Sequence, residues 1–285
     1  MVEYSQNFLL DRNLVRKLIN KSDISEGDLV LDIGAGEGII TREILRKVGE
    51  NGKVIAVEID RDAVSILEDL FSDYPQVDIT KEDIKNYQLP QEKFKVFSNI
   101  PFNLTSEIMN KLLFTQNGFT TGNIVMQKEA AFMYGGDQIR EPNTLKSIQA
   151  NPFYEFSLAY HFHPADFIPQ PRVDIVLLNI RKRLHPLIPE NQKVDYLNFT
   201  SFLAQDRYSE GRWRKLFTKK QLDFMRKSYG LMDKGISSQQ TTSLIKAFNS
   251  FVSYTPLPQK ELVTDAYMRH KQQASKLQKQ TITSV

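Results

Sequence analysis

The stretch from Asp28 to Glu58 constrains the fold more tightly than any other. Asp28 to Ile33 alternates into an apolar strand, and Gly34-Ala35-Gly36-Glu37-Gly38 follows at once. The next residues place Ile39, Ile40, Ile44 and Leu45 on the inner face of a helix, and Val54-Ile55-Ala56-Val57 reads as a second strand ending in Glu58 and Asp60. A strand, a glycine corner, a helix and a further strand predict a βαβ unit of a parallel sheet, with the glycines letting the backbone approach a bound nucleotide. The spacing of the glycines narrows the ligand. A dinucleotide fingerprint needs glycine at the first, third and sixth places, but the sixth place from Gly34 is Ile39 and glycine falls at the fifth. This disfavours a nicotinamide dinucleotide and points to a ligand without phosphates at the turn. Glu58, 20 residues after Gly38, is placed to accept both ribose hydroxyls. The plainer reading of Glu58 is a solvated acid at a strand end.

Three more stretches converge on the same predicted crevice. Asp83 would sit at the tip of a third strand, where a carboxylate can accept from an adenine amino group. Phe94-Lys95-Val96-Phe97 reads as a strand running into Ser98-Asn99-Ile100-Pro101-Phe102-Asn103, and Ile108, Met109, Leu112 and Leu113 then share a helical face. Pro101 fixes its own φ and biases Ile100 towards an extended conformation, holding the Asn99 side chain and the Ile100 carbonyl in set directions beside the Phe102 ring. Two acceptors and an aromatic face suit a flat molecule with an amino group on its edge. Taken alone the stretch is equally a strand-breaking turn with Phe102 in the core. Phe167, held by Pro169 and Pro171, is predicted at the rim opposite Phe102; the alternative is a proline-rich connector with a core Phe. The intervening 129–155 reads as a loop-rich excursion over the pocket.

At 285 residues the chain has room for two domains. Its opening residues have neither the basic start nor the apolar run of a signal peptide, so a cytoplasmic location is expected, with no membrane partner and no partner subunit. Zero cysteines exclude disulfides, thiol nucleophiles and thiolate metal sites, and four scattered histidines make a metal site unexpected. Charge is unevenly distributed. Residues 1–180 hold 18 Lys and Arg against 26 Asp and Glu, whereas residues 181–285 hold 19 against 8. A basic last part suggests a region that meets a polyanion, although an ordinary basic helical domain has the same composition. The predicted division is a catalytic α/β domain over 1–183, a basic helical domain over 184–270 and a disordered tail over 271–285. Within the helical domain, Arg207, Arg212, Trp213, Arg214 and Lys215 combine cations with one aromatic, a pattern that fits phosphate contact plus stacking.

Ser5-Gln6-Asn7-Phe8, the loop from Asp32 to Gly38, Glu58-Ile59-Asp60, Asp83, Asn99-Ile100-Pro101-Phe102 and Phe167-x-Pro-x-Pro-x-Val-Asp174 stand in the order and spacing seen in one family. Together they resemble the rRNA adenine N6-dimethyltransferases, closely over about 4–180 and loosely beyond. The resemblance implies a Rossmann-like α/β sheet with a smaller C-terminal helical domain, and S-adenosylmethionine as methyl donor. By the same resemblance Asn7, Leu9, Gly34, Gly36, Glu58, Asp83 and Asn99 line the donor site, while Asn99, Ile100, Pro101, Phe102 and Phe167 serve the reaction. Ile100 and the Gly34-Ala35-Gly36 loop resemble the erythromycin-resistance methylases of 23S rRNA more than the 16S rRNA enzymes. The alternatives are a 16S rRNA dimethyltransferase of ribosome biogenesis and a non-catalytic RNA-binding factor on the same fold. Asp32 replaces the commoner Glu, Phe102 the commoner Tyr, and a basic residue usual after Lys128 is missing.

Overall fold

The computed structural model describes residues 7–205, 210–232 and 235–283. The chain forms two compact units, one built from residues 1–132 and 155–182, the other from 133–154 and 183–285.

The first unit is organised by a seven-stranded sheet. Its strands in chain order are β2 (Leu29–Ile33), β3 (Lys53–Glu58), β4 (Val77–Lys81), β5 (Phe94–Asn99), β6 (Phe119–Gln127), β7 (Tyr154–His161) and β9 (Ile175–Lys182), and their order in space is β4-β3-β2-β5-β6-β9-β7. The first five are parallel, and β9 runs antiparallel to β6. Val30, Leu31, Ile33, Val54, Ala56 and Val57 are all buried, as expected of strands covered on both faces. Helices α1 (Arg12–Lys21), α2 (Ile39–Val48), α3 (Arg61–Leu70) and α4 (Thr105–Phe114) complete the unit. Asp11 and Asp60 cap α1 and α3 by accepting backbone N–H bonds in the first turn.

Strand order reverses at β2, whose neighbours are β3 on one side and β5 on the other. Open α/β sheets hold their ligands at such a point, beyond the C-terminal strand ends. The glycine loop leaves β2 there and Asn99 ends β5 there, so the two stretches singled out in the sequence meet because of the topology. A small two-stranded sheet lies beside them: β1 (Phe8–Leu9) pairs antiparallel with β8 (Phe167–Ile168). The N–H of Leu10 extends that contact to the Asp166 carbonyl, at 3.0 Å.

Phe167 departs from expectation. It is 1% exposed and packs edge-on against Phe162, ring centroids 5.3 Å apart, in the same core cluster as Leu9, Leu18 and Phe97. Pairing with β1 turns its ring inward. Ile168, 57% exposed, takes the outward place.

Buried Glu43 joins α1 to α2. Arg12 Nε lies 2.6 Å from its carboxylate, Arg16 Nε 2.9 Å and Arg46 Nε 3.4 Å. Burial pushes the Glu43 carboxyl up, but the hydrogen bonds and charges of Arg16 and Arg12 outweigh it and leave the group below its ordinary value. The pair therefore stabilises the fold above the usual carboxylate range, and that contribution is lost as pH falls through the lowered folded value. Glu43→Gln is expected to cost roughly 1–3 kcal/mol at pH 7, less than a dry pair would because the arginines stay partly solvated. Chemical denaturation checks it, and the difference between parent and variant should vanish in acid.

The second unit is helical and its core is aromatic. Its longer helices are α7 (Lys193–Ala204), α9 (Lys219–Tyr229), α10 (Thr241–Tyr254) and α12 (Ala266–Thr283). Phe199 lies 5.6 Å from Phe248, 5.1 Å from Phe251 and 6.0 Å from Trp213 between ring centroids. Trp213 is thus a core residue, 6% exposed, and not a surface platform for a base; Arg212 instead covers Phe202 at 4.8 Å. Arg207 lies outside the described residues. Residues 133–154 are mostly helical, not loop, and belong to this unit because their polar side chains bond to it. Asp137 accepts from the Thr241 N–H at 3.1 Å, and Asn143 donates to the Gln239 carbonyl at 3.0 Å. Residues 271–283 of the predicted tail continue α12, whose start is anchored by buried Ala266 and by the Tyr267 N–H, 3.0 Å from Asn198 of α7; 284 and 285 lie outside the described residues. Among the described residues no helix is long and apolar enough to cross a membrane.

Candidate active site

A cavity of about 570 Å³ opens at the switch point, lined by Asn7 to Leu10, by the loop from Gly34 to Gly38 and by Asn99 and Ile100. This volume suits a nucleoside-sized molecule. Gly34, Gly36 and Gly38 all take positive φ, at 71°, 55° and 84°, a conformation that disfavours any side chain. Gly38 is also packed tight: a Cβ there would stand 2.9 Å from Leu67 and 3.0 Å from Phe71.

Asn99 is the most informative residue. Its Nδ2 donates to the Asn7 carbonyl at 2.7 Å, and a carbonyl can only accept, so the amide is fixed with Oδ1 as its remaining group. Oδ1 is buried and has no partner among the described residues. An unpaired buried acceptor costs about 1–3 kcal/mol, and a ligand N–H would relieve that cost. No described donor meets the Ile100 carbonyl either. Phe102, half-buried, begins a short 3₁₀ turn after Pro101, fixed by the Leu104 N–H on the Pro101 carbonyl at 2.9 Å. Asn7 is tied a second time through its Nδ2 to the Pro169 carbonyl. The N-terminal segment is thereby strapped along the cavity wall, with the Phe8 ring in contact with the Gly36 position.

Glu58 is placed differently from expectation. Its Oε2 accepts from the Gly36 N–H at 2.9 Å, and its Oε1 from the N–H groups of Ile59 and Asp60 at 2.7 and 2.9 Å. Three of about four acceptor positions are taken, so the carboxylate clamps the glycine loop to the end of β3 and cannot grip two hydroxyls at once. Asp83 caps its own turn, accepting from the Lys85 N–H at 2.9 Å. Neither lines the cavity. Arg12 and Arg42 do, and the sequence reading passed over both; the signal for Arg42 was its place in the first turn of the helix after the glycines.

Beneath the loop, Asp32 is fully buried. Burial pushes its carboxyl up to about 7, against the Thr41 hydroxyl that donates to Oδ2 at 2.7 Å, and the Glu58 charge adds to the rise. Ser98 lies near enough to favour the charged form slightly, though Oδ1 itself has no hydrogen-bond partner among the described residues.

Residues 2–251 match the family model described as ribosomal RNA adenine dimethylase. The chain belongs to that family. A relative from Bacteroides fragilis, an rRNA adenine N-6-methyltransferase, is 36% identical over 79% of this chain and 84% of its own length. Another of that description, from Bacillus anthracis, is 31% identical over 87% and 86%. A ribosomal RNA small subunit methyltransferase A from Streptococcus thermophilus is 32% identical over 65% of this chain and 66% of its own. Among solved structures, the 23S rRNA methyltransferase ErmE aligns with a TM-score of 0.75 at 21% identity, covering 87% of this chain and all of that one, which shows a shared fold. This dimethylase-family chain is an rRNA adenine N6-methyltransferase on a Rossmann-like sheet, and its methyl donor is S-adenosylmethionine. The cavity fits such a donor: it is nucleoside-sized, backed by a glycine cradle that disfavours side chains, and holds an unsatisfied acceptor.

Proposed function

We propose that this enzyme methylates N6 of an adenine in 23S rRNA and so gives macrolide, lincosamide and streptogramin B resistance to the cell that carries it. The reaction class rests most directly on the unpaired Asn99 Oδ1 in the cavity wall. Adenine's exocyclic nitrogen is a poor nucleophile because its lone pair is delocalised into the ring. Asn99 Oδ1 and the Ile100 carbonyl accept its two N–H bonds and draw the protons out of the ring plane, returning electron density to nitrogen. The donor supplies a methyl group already activated by its sulfonium charge. Bound beside the adenine, the donor would give up that methyl group to N6 and keep the carbon–sulfur electron pair, and one N6 proton would pass to solvent. Positioning supplies most of the remaining rate. The Phe102 ring stacks on the base, worth roughly 1–3 kcal/mol, and offsets the cost of extruding it from its helix.

In this reading Asn7, Leu9, Gly34, Gly36 and Asn99 hold the donor directly. Glu58 acts mainly by keeping the Gly36 loop in shape, with one acceptor position left for a ribose hydroxyl, and Asp83 meets the adenine of the donor only if its turn opens. Phe167 backs the site from the core. The basic second unit supplies RNA contacts. The choice of 23S over 16S is supported by Ile100 and by the Gly34-Ala35-Gly36 loop. The shorter match to small-subunit enzymes keeps 16S rRNA as the second reading.

Expression in a susceptible bacterium tests the proposal. Erythromycin resistance together with a new reverse-transcription stop in 23S rRNA is the expected result. Unchanged sensitivity with a stop in 16S rRNA would transfer the assignment to the second reading, and no stop in either would favour an RNA-binding factor.

A further inference from the structure

Beside the donor cavity is a groove of about 470 Å³ that no step of the proposed reaction uses. Arg12, Arg42, Arg46, Leu70, Tyr74 and Gln76 line it, and it shares Arg12, Arg42 and Leu70 with the donor cavity. Three features of it are independent of one another.

The first is charge. Arg12, Arg16 and Arg46 all hold Glu43 through Nε, which leaves the terminal nitrogens of Arg12 and Arg46 without a carboxylate partner among the described residues. Arg42 has no ion-pair partner among the described residues. Three guanidiniums line the groove against one lining carboxylate, the exposed Glu50, so its lining carries a positive surplus although residues 1–180 are acidic as a whole. The Glu43 carboxylate acts as a hub that orients the guanidiniums rather than cancelling them.

The second is an aromatic face. Tyr74 is 48% exposed at the groove, and Phe71 supports its ring edge-on with centroids 6.2 Å apart. The third is an unsatisfied acceptor: Gln76 Oε1 is buried and without a hydrogen-bond partner among the described residues. Guanidiniums, a stacking face and a buried acceptor are the parts by which single-stranded nucleic acid is held: phosphate on Arg, base on ring, and an amino group or 2′-hydroxyl on the acceptor.

We infer that this groove is a second RNA subsite on the catalytic unit, taking one unpaired nucleotide of the substrate strand and its phosphate while the target adenine occupies the active site. It rests on the reading of this chain as an rRNA methyltransferase. Arg12 and Arg42 border both cavities, so a strand can pass from one to the other over a continuous run of guanidiniums.

Arg46 and Tyr74 lie outside the donor cavity and serve as the test. With a transcript that the parent methylates, Arg46→Glu and Tyr74→Ala are each expected to raise the KM for RNA about tenfold, with kcat and donor affinity unchanged. Arg46→Glu should also flatten the salt dependence of RNA binding by nearly one phosphate's worth, a slope change of about 0.7 for a single strand. Arg46→Lys and Tyr74→Phe should retain near-parent KM, which separates contact from packing. An unchanged KM and salt slope in both disruptive variants, with parent-like thermal stability, would overturn the subsite. So would binding of a free nucleoside 5′-monophosphate that both disruptive variants lose while RNA KM stays put, since that assigns the groove to a small ligand. Failure of the parent to methylate any rRNA transcript would instead strike the functional reading.

Discussion

Asn99→Ala is expected to lower kcat for methyl transfer by 10²- to 10³-fold, the usual loss when one oriented polar group at a reacting centre is removed. Donor affinity should fall less, because the glycine loop and the Asn7 to Leu10 wall remain. Part of the loss will come from the N-terminal segment, since Asn99 Nδ2 holds the Asn7 carbonyl. Asn99→Asp separates the two effects: it keeps an acceptor at Oδ1 but replaces the donor to Asn7 with an oxygen that repels the carbonyl. Phe102→Ala should reduce turnover strongly and Phe102→Tyr should retain it, because the ring face is what stacks. Single-turnover rates at saturating donor and RNA measure both series. Near-parent rates in Asn99→Ala would remove the acceptor from the mechanism.

The second large effect concerns Asp32. Its folded value near 7 stands well above that of an unfolded aspartate. A carboxyl raised on folding stabilises the protein fully below its unfolded value, and that contribution is lost as pH climbs through the folded one. Between about pH 4 and pH 7 the ligand-free enzyme should therefore lose on the order of 4 kcal/mol from this one group. Asp32→Asn, which keeps an acceptor for the Thr41 hydroxyl, should flatten the pH dependence of stability in that window. Denaturant unfolding at pH 5 and pH 8 decides it. Equal slopes in parent and variant would mean that the carboxyl ionises without penalty.

The parts of the fold legible in the sequence are those where local pattern and topology agree. The β2 strand, the glycine corner, α2 and β3 follow from an apolar run, positive-φ residues and an amphipathic helix. The convergence of Asn99 on that corner follows because parallel strands end on one edge. What could not be read is which way a side chain turns once there. Glu58 was placed at the correct strand end, yet its oxygens go to backbone N–H groups that converge only when the loop folds back. Phe167 was aimed at the rim on the strength of its prolines, but pairing of β8 with β1 sends it among Phe162 and Leu9, a contact between segments more than 150 residues apart. Trp213 looked like a base platform because of the cations beside it in sequence, whereas the helical turn puts it on the face that meets Phe199. The tail reads as disordered from its Gln, Lys and Ser content, whereas the structure continues α12 through 271–283 from a start anchored on α7. Arg12, Arg42 and Arg46 were missed for a related reason: they are spread over two helices, and the buried Glu43 brings Arg12 and Arg46 together.

The most direct measurement is transfer of a labelled methyl group from S-adenosylmethionine to naked transcripts of 23S and 16S rRNA, run side by side and digested to nucleosides. Label in N6-methylated adenosine from the 23S transcript, absent from the 16S transcript and abolished by Asn99→Ala, is the expected result. Label in 16S alone would contradict the assignment of substrate, and no label in either would contradict the enzyme itself.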